Sequence, residues 1–253
     1  MRAAVILVCF FVSGVSLAQK KVASVDISNP VAFACVDRPG DLYVIMTNGE
    51  TVKFDKNGKQ IGTKKFKTVP TIFDPKDGTR AFAYARETQT VESITPDLSY
   101  SDTSPLHPEF AVSAWLVCPS KNEFWILDGA DFSLKKTRDK GTAIAYEAVF
   151  KKENGPSYMR EYLNFLFVID NGIHILNNLG KEIRILNSSP DYFSFLGEEI
   201  YFPSGRSSLQ LIDLYTTDKR EISLPHEAKF AFLTDERMIL INDRSVEFFE
   251  FVP

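Results

Sequence analysis

One regularity constrains this chain more than any other. Short apolar or alternating segments rich in Val, Ile, Phe and Tyr recur at intervals of about 8 to 12 residues, separated by Gly, Asn, Asp and Pro. Alternation with a period of two lays apolar side chains on one face of a strand. Segments this short and closely punctuated make an all-β sandwich, barrel or propeller. The 21 Phe, nine Tyr and two Trp suit pleated surfaces packed face to face. Pro156 to Asn164 has faint helical spacing through Met159, Tyr162 and Leu163, and is read as a strand.

The segments also repeat as groups. One unit reads Val31 to Val36, Asp41 to Thr47, Asn48-Gly49, Glu50 to Asp55, Asn57-Gly58 and Gln60 to Phe66: four strands joined by tight turns. A second runs from Thr71 through Phe82-Ala83-Tyr84 and Val91 to Ile94 toward Tyr100, with an ill-defined outer strand. A third spans Ala111 to Phe150, a fourth offers Phe165 to Leu186, and a fifth Tyr192 to Leu224. The last stretch supplies only three strands, Lys229 to Leu233, Met238 to Ile241 and Val246 to Phe251. Lys21 to Ser28 alternates as a lone strand at the other end of the chain. Pairing it with the final unit closes a ring and removes an exposed edge. The expectation is a six-bladed β-propeller of four-stranded antiparallel blades, about 39 residues each. Seven blades remain the alternative, with the extra unit in 86 to 110 or 137 to 160.

Asp37-Arg38-Pro39-Gly40-Asp41-Leu42-Tyr43-Val44, followed by Phe54-Asp55-Lys56-Asn57-Gly58-Lys59, resembles the strand-turn-strand pattern of NHL-type propeller blades. Phe73-Asp74-Pro75-Lys76-Asp77-Gly78-Thr79 resembles the Pro-Asp-Gly turn of TolB-like and WD40-like blades. The likeness covers two or three blades and the rest by spacing. The regular terminal Trp-Asp of WD40 repeats is missing. The resemblance implies the propeller fold and no single activity, because unrelated functions share it.

Residues 1–18 carry the address. Arg2, the apolar run Ala3 to Val12 and the small-residue exit Ser16-Leu17-Ala18 form a cleavable secretory signal. The mature chain then begins near Gln19 and is one domain, 19–253, in the periplasm or outside the cell. Val8 before Cys9 departs from the small residue expected ahead of a lipid-modified cysteine. No later apolar run reaches the roughly 18 residues of a membrane helix, so no direct membrane insertion is expected. Removing Arg2 takes the formal charge from −4 to −5, with both signs mixed along the chain. That balance gives no electrostatic case for nucleic acid. Cys35 and Cys118 lie in apolar strands of non-adjacent units and read as buried free thiols.

Catalytic motifs are missing: no Gly-x-Ser-x-Gly elbow, no His-Glu-x-x-His, no Walker-type loop. His107, His174 and His226 occupy different offsets in their units and do not converge on one metal. No catalytic residue, metal or cofactor is assigned. One constellation recurs. The link from second to third strand carries polar groups in every unit: Asn48 and Glu50, Arg86 and Glu87, Asp128 and Asp131, Asp170 and Asn171, Arg206, and Asp243 with Arg244. These links share one face of a propeller. Asn-Gly and Asp-Gly are also what tight hairpins require, whereas no turn requires Arg86, Arg206 or Arg244. The candidate ligand or partner face is therefore Asn48, Glu50, Arg86, Asp128, Asp170, Arg206, Asp243 and Arg244. Lys64, Lys65 and Lys67 fall on an outer strand and protect its edge. Asn187-Ser188-Ser189 is a glycan acceptor pattern in a surface loop. Pro96 to Pro108, too irregular for a strand, is read as a loop.

Three functions fit such a chain. The first is a non-enzymatic protein-binding or scaffold module in a cell-envelope or outer-membrane assembly. The second is a glycan or small-ligand binder using aromatics such as Trp115 and Tyr158. The third is a propeller enzyme of lactonase or hydrolase type, with Glu50, Asp128, Asp170 and Asp243 as acids or ligands.

Overall fold

The computed structural model describes residues 20–76, 78–121, 123–149 and 155–252 apart from 139–142, with only the backbone described for 143–149. The expected leader, residues 1–18, lies outside the described residues. Among the described residues twenty-four strands form six four-stranded antiparallel sheets, which settles the blade count at six.

Each blade is a meander whose first strand is largely buried, and in the five blades where the side chains of the fourth strand are described, that strand is largely exposed. The inner strands are β2 (Val31–Val36), β6 (Ile72–Asp74), β10 (Ala114–Ser120), β14 (Tyr158–Tyr162), β18 (Ser194–Leu196) and β22 (Phe230–Leu233). They stand around a common axis, and most of their side chains are apolar and buried, as suits a strand covered by a neighbouring blade on each side. Outer strands such as β5 (Gln60–Lys65) and β17 (Glu182–Leu186) are exposed along most of their length. Packing between blades is largely aromatic: Tyr43 and Phe66 meet Phe73, and Phe82 meets Phe124, at centroid distances of 5.5 to 6.1 Å.

The ring closes as the alternating pattern of Lys21 to Ser28 requires. β1 (Lys21–Asp26) pairs antiparallel with β24 (Ser245–Glu250), completing the blade of β22, β23 (Arg237–Ile241) and β24. Lys20 bonds Glu250 at 2.9 Å, Lys21 reaches Glu247, and Ile27 enters the core. Pro156 to Asn164 supplies β14, the inner strand of the fourth blade.

One expectation is corrected. Ser101–Pro105, inside the segment read as a loop, is β9, the outer strand of the second blade, paired with β8 (Thr90–Ile94). Its residues are polar and mostly exposed because an outermost strand has no neighbour to pack against, so the apolar signal of a strand is missing there. Cys35 and Cys118 are both buried free thiols, and burial pushes both well above the ordinary thiol range.

Candidate functional site: the channel mouth

In a meander, turns alternate between ends of the sheet. The first-to-second-strand loops of all six blades therefore gather at one end of the axis, and the second-to-third turns at the other. The first end opens into a cavity of about 780 Å³ to which every blade contributes: Asp37 and Arg38 from the first, Asp74 and Arg80 from the second, Lys121 from the third, Arg160 and Tyr162 from the fourth, Phe195 from the fifth, Asp235 from the sixth. A cleft of about 310 Å³ beside it shares Lys121 and Glu161 and runs between the third and fourth blades.

The floor is an ion pair. Arg160 of β14 reaches Asp74 of β6 at 3.4 Å, both buried, with the guanidinium 5.6 Å from the Phe195 ring. Burial, the largest single influence, would lower the Arg160 pKa; the Asp74 carboxylate together with Tyr158 and the other acidic groups around it outweighs burial and raises it. Two residues further from the mouth, Tyr158 packs on Phe33 and Phe193 at 5.8 and 5.2 Å, filling the axis with aromatic rings.

The other carboxylates are held from behind. Asp37 accepts the Asp41 backbone N–H at 2.8 Å and the Tyr43 hydroxyl at 3.2 Å, and Lys53 lies 3.5 Å away. Burial raises its pKa, only partly offset by the Asp41 amide and Lys53. Glu161 accepts from the Trp125 indole and lies 3.7 Å from Lys136. Neither Lys53 nor Lys136 lines the cavity. The fourth and fifth blades supply an apolar wall: Tyr162 stacks on Phe195 at 4.0 Å and 9°, its hydroxyl donates to the Gly197 carbonyl at 2.7 Å, and Leu163 stands exposed at the lip.

The eight candidates from the sequence lie at the second-to-third turns, the opposite end of the axis, and none lines the cavity. Asn48 caps the Glu50 amide at 2.9 Å. Asp128 is buried and accepts from Val112 at 2.8 Å, Ala130 at 3.0 Å and Lys135 at 3.3 Å. Burial would push its pKa up, and these bonds outweigh burial to lower it. Arg86 donates to the Trp115 carbonyl at 2.7 Å with its guanidinium 3.7 Å over the Trp115 ring, clamping the second blade to the third. Burial lowers its pKa. Asp170 is buried, and its carbonyl meets His174, whose other nitrogen contacts Glu182. Arg206 faces Glu227 at 3.9 Å, and Asp243 faces Lys229 at 3.3 Å. Arg244 contributes its carbonyl to Ile27. Of the named aromatics, Trp115 donates to the Pro156 carbonyl.

Sequence reasoning passed over Asp37, Arg38, Asp74 and Arg160 as chemistry. The signal was present: a charged residue ends or interrupts an otherwise apolar inner strand in Phe73-Asp74 and Met159-Arg160. Among the described residues no group of three or more His, Cys, Asp and Glu is placed to hold a metal.

Neither a family model nor a curated sequence matches the chain. Solved structures do. A streptogramin B lyase aligns over 94% of this chain and 90% of its own, at 14% identity and a TM-score of 0.55. A catalytically inactive virginiamycin B lyase from Staphylococcus aureus, crystallised with quinupristin, aligns over 88% and 80%, at 13% identity and 0.53. BBS1N in complex with ARL6DN aligns over 93% and 97%, at 10% identity and 0.54. At such identities the likeness is one of fold, that of the β-propeller expected from the blade-like motifs.

Proposed function

We propose that this chain is an exported β-propeller that works as a protein-binding module, taking a segment of its partner into the channel mouth, in an assembly of the cell envelope. The observation that carries this reading is the convergence of all six first-to-second loops on one cavity, with a side cleft next to it that shares Lys121 and Glu161. A bowl with an exit groove suits a chain passing through it, whereas compact ligands favour a single closed pocket. The carboxylates lining it are largely engaged with Lys53, Lys136 and Arg160, which supports recognition over acid–base chemistry. Two structural neighbours show the fold in use with a protein and with a small molecule, BBS1N with ARL6DN and the lyase with quinupristin.

A photo-crosslinking residue at Leu163, exposed at the lip, and another at Arg206 on the opposite end separate the two faces. Crosslinked in its native extract, the protein gives a discrete protein adduct from position 163 and none from 206. Adducts from 206 alone, or from neither, overturn the reading. Export is checked by the mass of the protein from the extracytoplasmic fraction, which begins at Gln19 after cleavage behind Ala18.

A further inference from the structure

The channel mouth is electrostatically lopsided. Among the described residues its lining holds five basic side chains, Arg38, Lys76, Arg80, Lys121 and Arg160, and four acidic ones, Asp37, Asp74, Glu161 and Asp235. Three of the acids are already engaged: Asp74 by Arg160, Asp37 by Lys53, which lies outside the cavity, and Glu161 by Lys136, which lines the side cleft. On the basic side only Arg160 is consumed. Arg38, Arg80 and Lys121 are exposed and have no carboxylate partner among the described residues. Lys76 donates to the Lys121 carbonyl at 3.3 Å. Among the described lining residues Asp235 is left as the one acid without a basic partner, with Glu198 of the fifth blade close enough to act on Tyr162 beside it. A chain of formal charge −4 thus turns a basic arc toward its own cavity.

The charges are also segregated. The four cations outside the floor pair stand on blades one to three, whereas Tyr162, Leu163, Phe195 and Leu196 form a wall on blades four and five. A ligand complementary to both halves carries carboxylates on one side and an aromatic or bulky apolar group on the other. Arg38 and Arg80 can each fork onto a carboxylate, and the stacked Tyr162–Phe195 pair offers a flat apolar surface. The side cleft continues past Lys121, which favours an extended chain over a compact anion.

Resting on the protein-binding reading, we infer that the channel mouth recognises an acidic, aromatic-bearing polypeptide segment, its carboxylates on Arg38, Arg80 and Lys121 and its ring on the Tyr162–Leu163–Phe195 wall.

The probes are fluorescein-labelled random copolymer of Glu and Tyr, poly-Glu and poly-Lys, followed by anisotropy over a salt series. The native protein binds the copolymer most tightly, poly-Glu more weakly and poly-Lys not at all, and binding weakens as salt rises. The triple variant R38S/R80S/K121N loses at least 10-fold in affinity for both acidic probes and most of the salt dependence. Leu163→Asn, at a position of positive φ that Asn tolerates, weakens the copolymer and leaves poly-Glu unchanged. These residues are exposed, and circular dichroism confirms that each variant folds. Equal binding by the triple variant, no preference over poly-Lys, or no binding overturns the inference. The crosslink separates it from the broader reading. Adducts at position 163 that excess copolymer displaces support both, and adducts that persist overturn the acidic chemistry alone. Copolymer binding without any protein adduct upholds the chemistry and removes the partner.

Discussion

Arg160 and Asp74 meet at 3.4 Å across the channel floor, joining the fourth blade to the second. A buried ion pair of this kind is costly to break on one side, because the remaining charge has no water to return to; the loss is about 3 to 5 kcal/mol. Asp74→Asn and Arg160→Met are each expected to lower stability by that order in chemical denaturation. The double replacement recovers much of the loss, since replacing both partners leaves no unpaired charge. Losses that simply add in the double variant would show that the pair is not coupled.

The strands were legible where burial imposes a pattern and illegible where it does not. Val31 to Val36 and Phe165 to Ile169 announce themselves because blades cover them on both faces. Ser101–Pro105 did not, because an outermost strand needs only backbone partners and its side chains are free to be Ser, Asp and Thr. The same logic governs the site. Asn48, Asp128 and Asp170 stood out as polar residues at regular spacing, and that spacing is set by turns. The chemistry of Arg160 depends on a carboxylate 86 positions earlier, a juxtaposition made only when the ring closes.

Ring closure should carry a large share of the stability. β1 pairs with β24 over Lys21 to Asp26 and brings Ile27 into the core. A chain beginning at Ser28 leaves the β24 edge unpaired, and an open edge associates with whatever strand it meets. Light scattering is expected to show oligomers, and a peptide of residues 20–27 to restore the monomer. A truncated chain that stays monomeric and melts like the full one would refute the role of the closing strand.

The same closure should respond to acid. Glu247 on β24 accepts from Lys21 of the closing strand and contacts His226. The Lys21 hydrogen bond, outweighing partial burial and helped by His226, holds its carboxyl below the usual range. A carboxylate whose folded pKa is depressed binds fewer protons folded than unfolded. Its contribution is therefore complete above the unfolded value, about 4.3, and is lost as pH falls through the folded one. Glu247→Gln should cost stability at neutral pH and progressively less toward pH 3, where wild type and variant converge. A constant difference between them from neutral to acid would mean that the charge on Glu247 does not hold the strand.

Gly62 on β5 tests how tightly neighbouring blades approach. A Cβ built there would stand 2.5 Å from the Asp97 carbonyl oxygen, a backbone atom in the second blade that cannot rotate aside. Gly62→Ala must separate the first and second blades locally, and overpacking of this kind costs about 1 to 3 kcal/mol. Gly205 serves as the control. It has a φ of +78° with nothing within 4 Å of its Cβ position, so Gly205→Ala incurs only backbone strain, about 1 kcal/mol. Thermal melts should rank Gly62→Ala below Gly205→Ala. Because Lys64 on the same strand bonds Ser101 and Glu92 of the second blade, each at 2.7 Å, Lys64→Met in the Gly62→Ala background should cost less than in wild type, the contact being already opened.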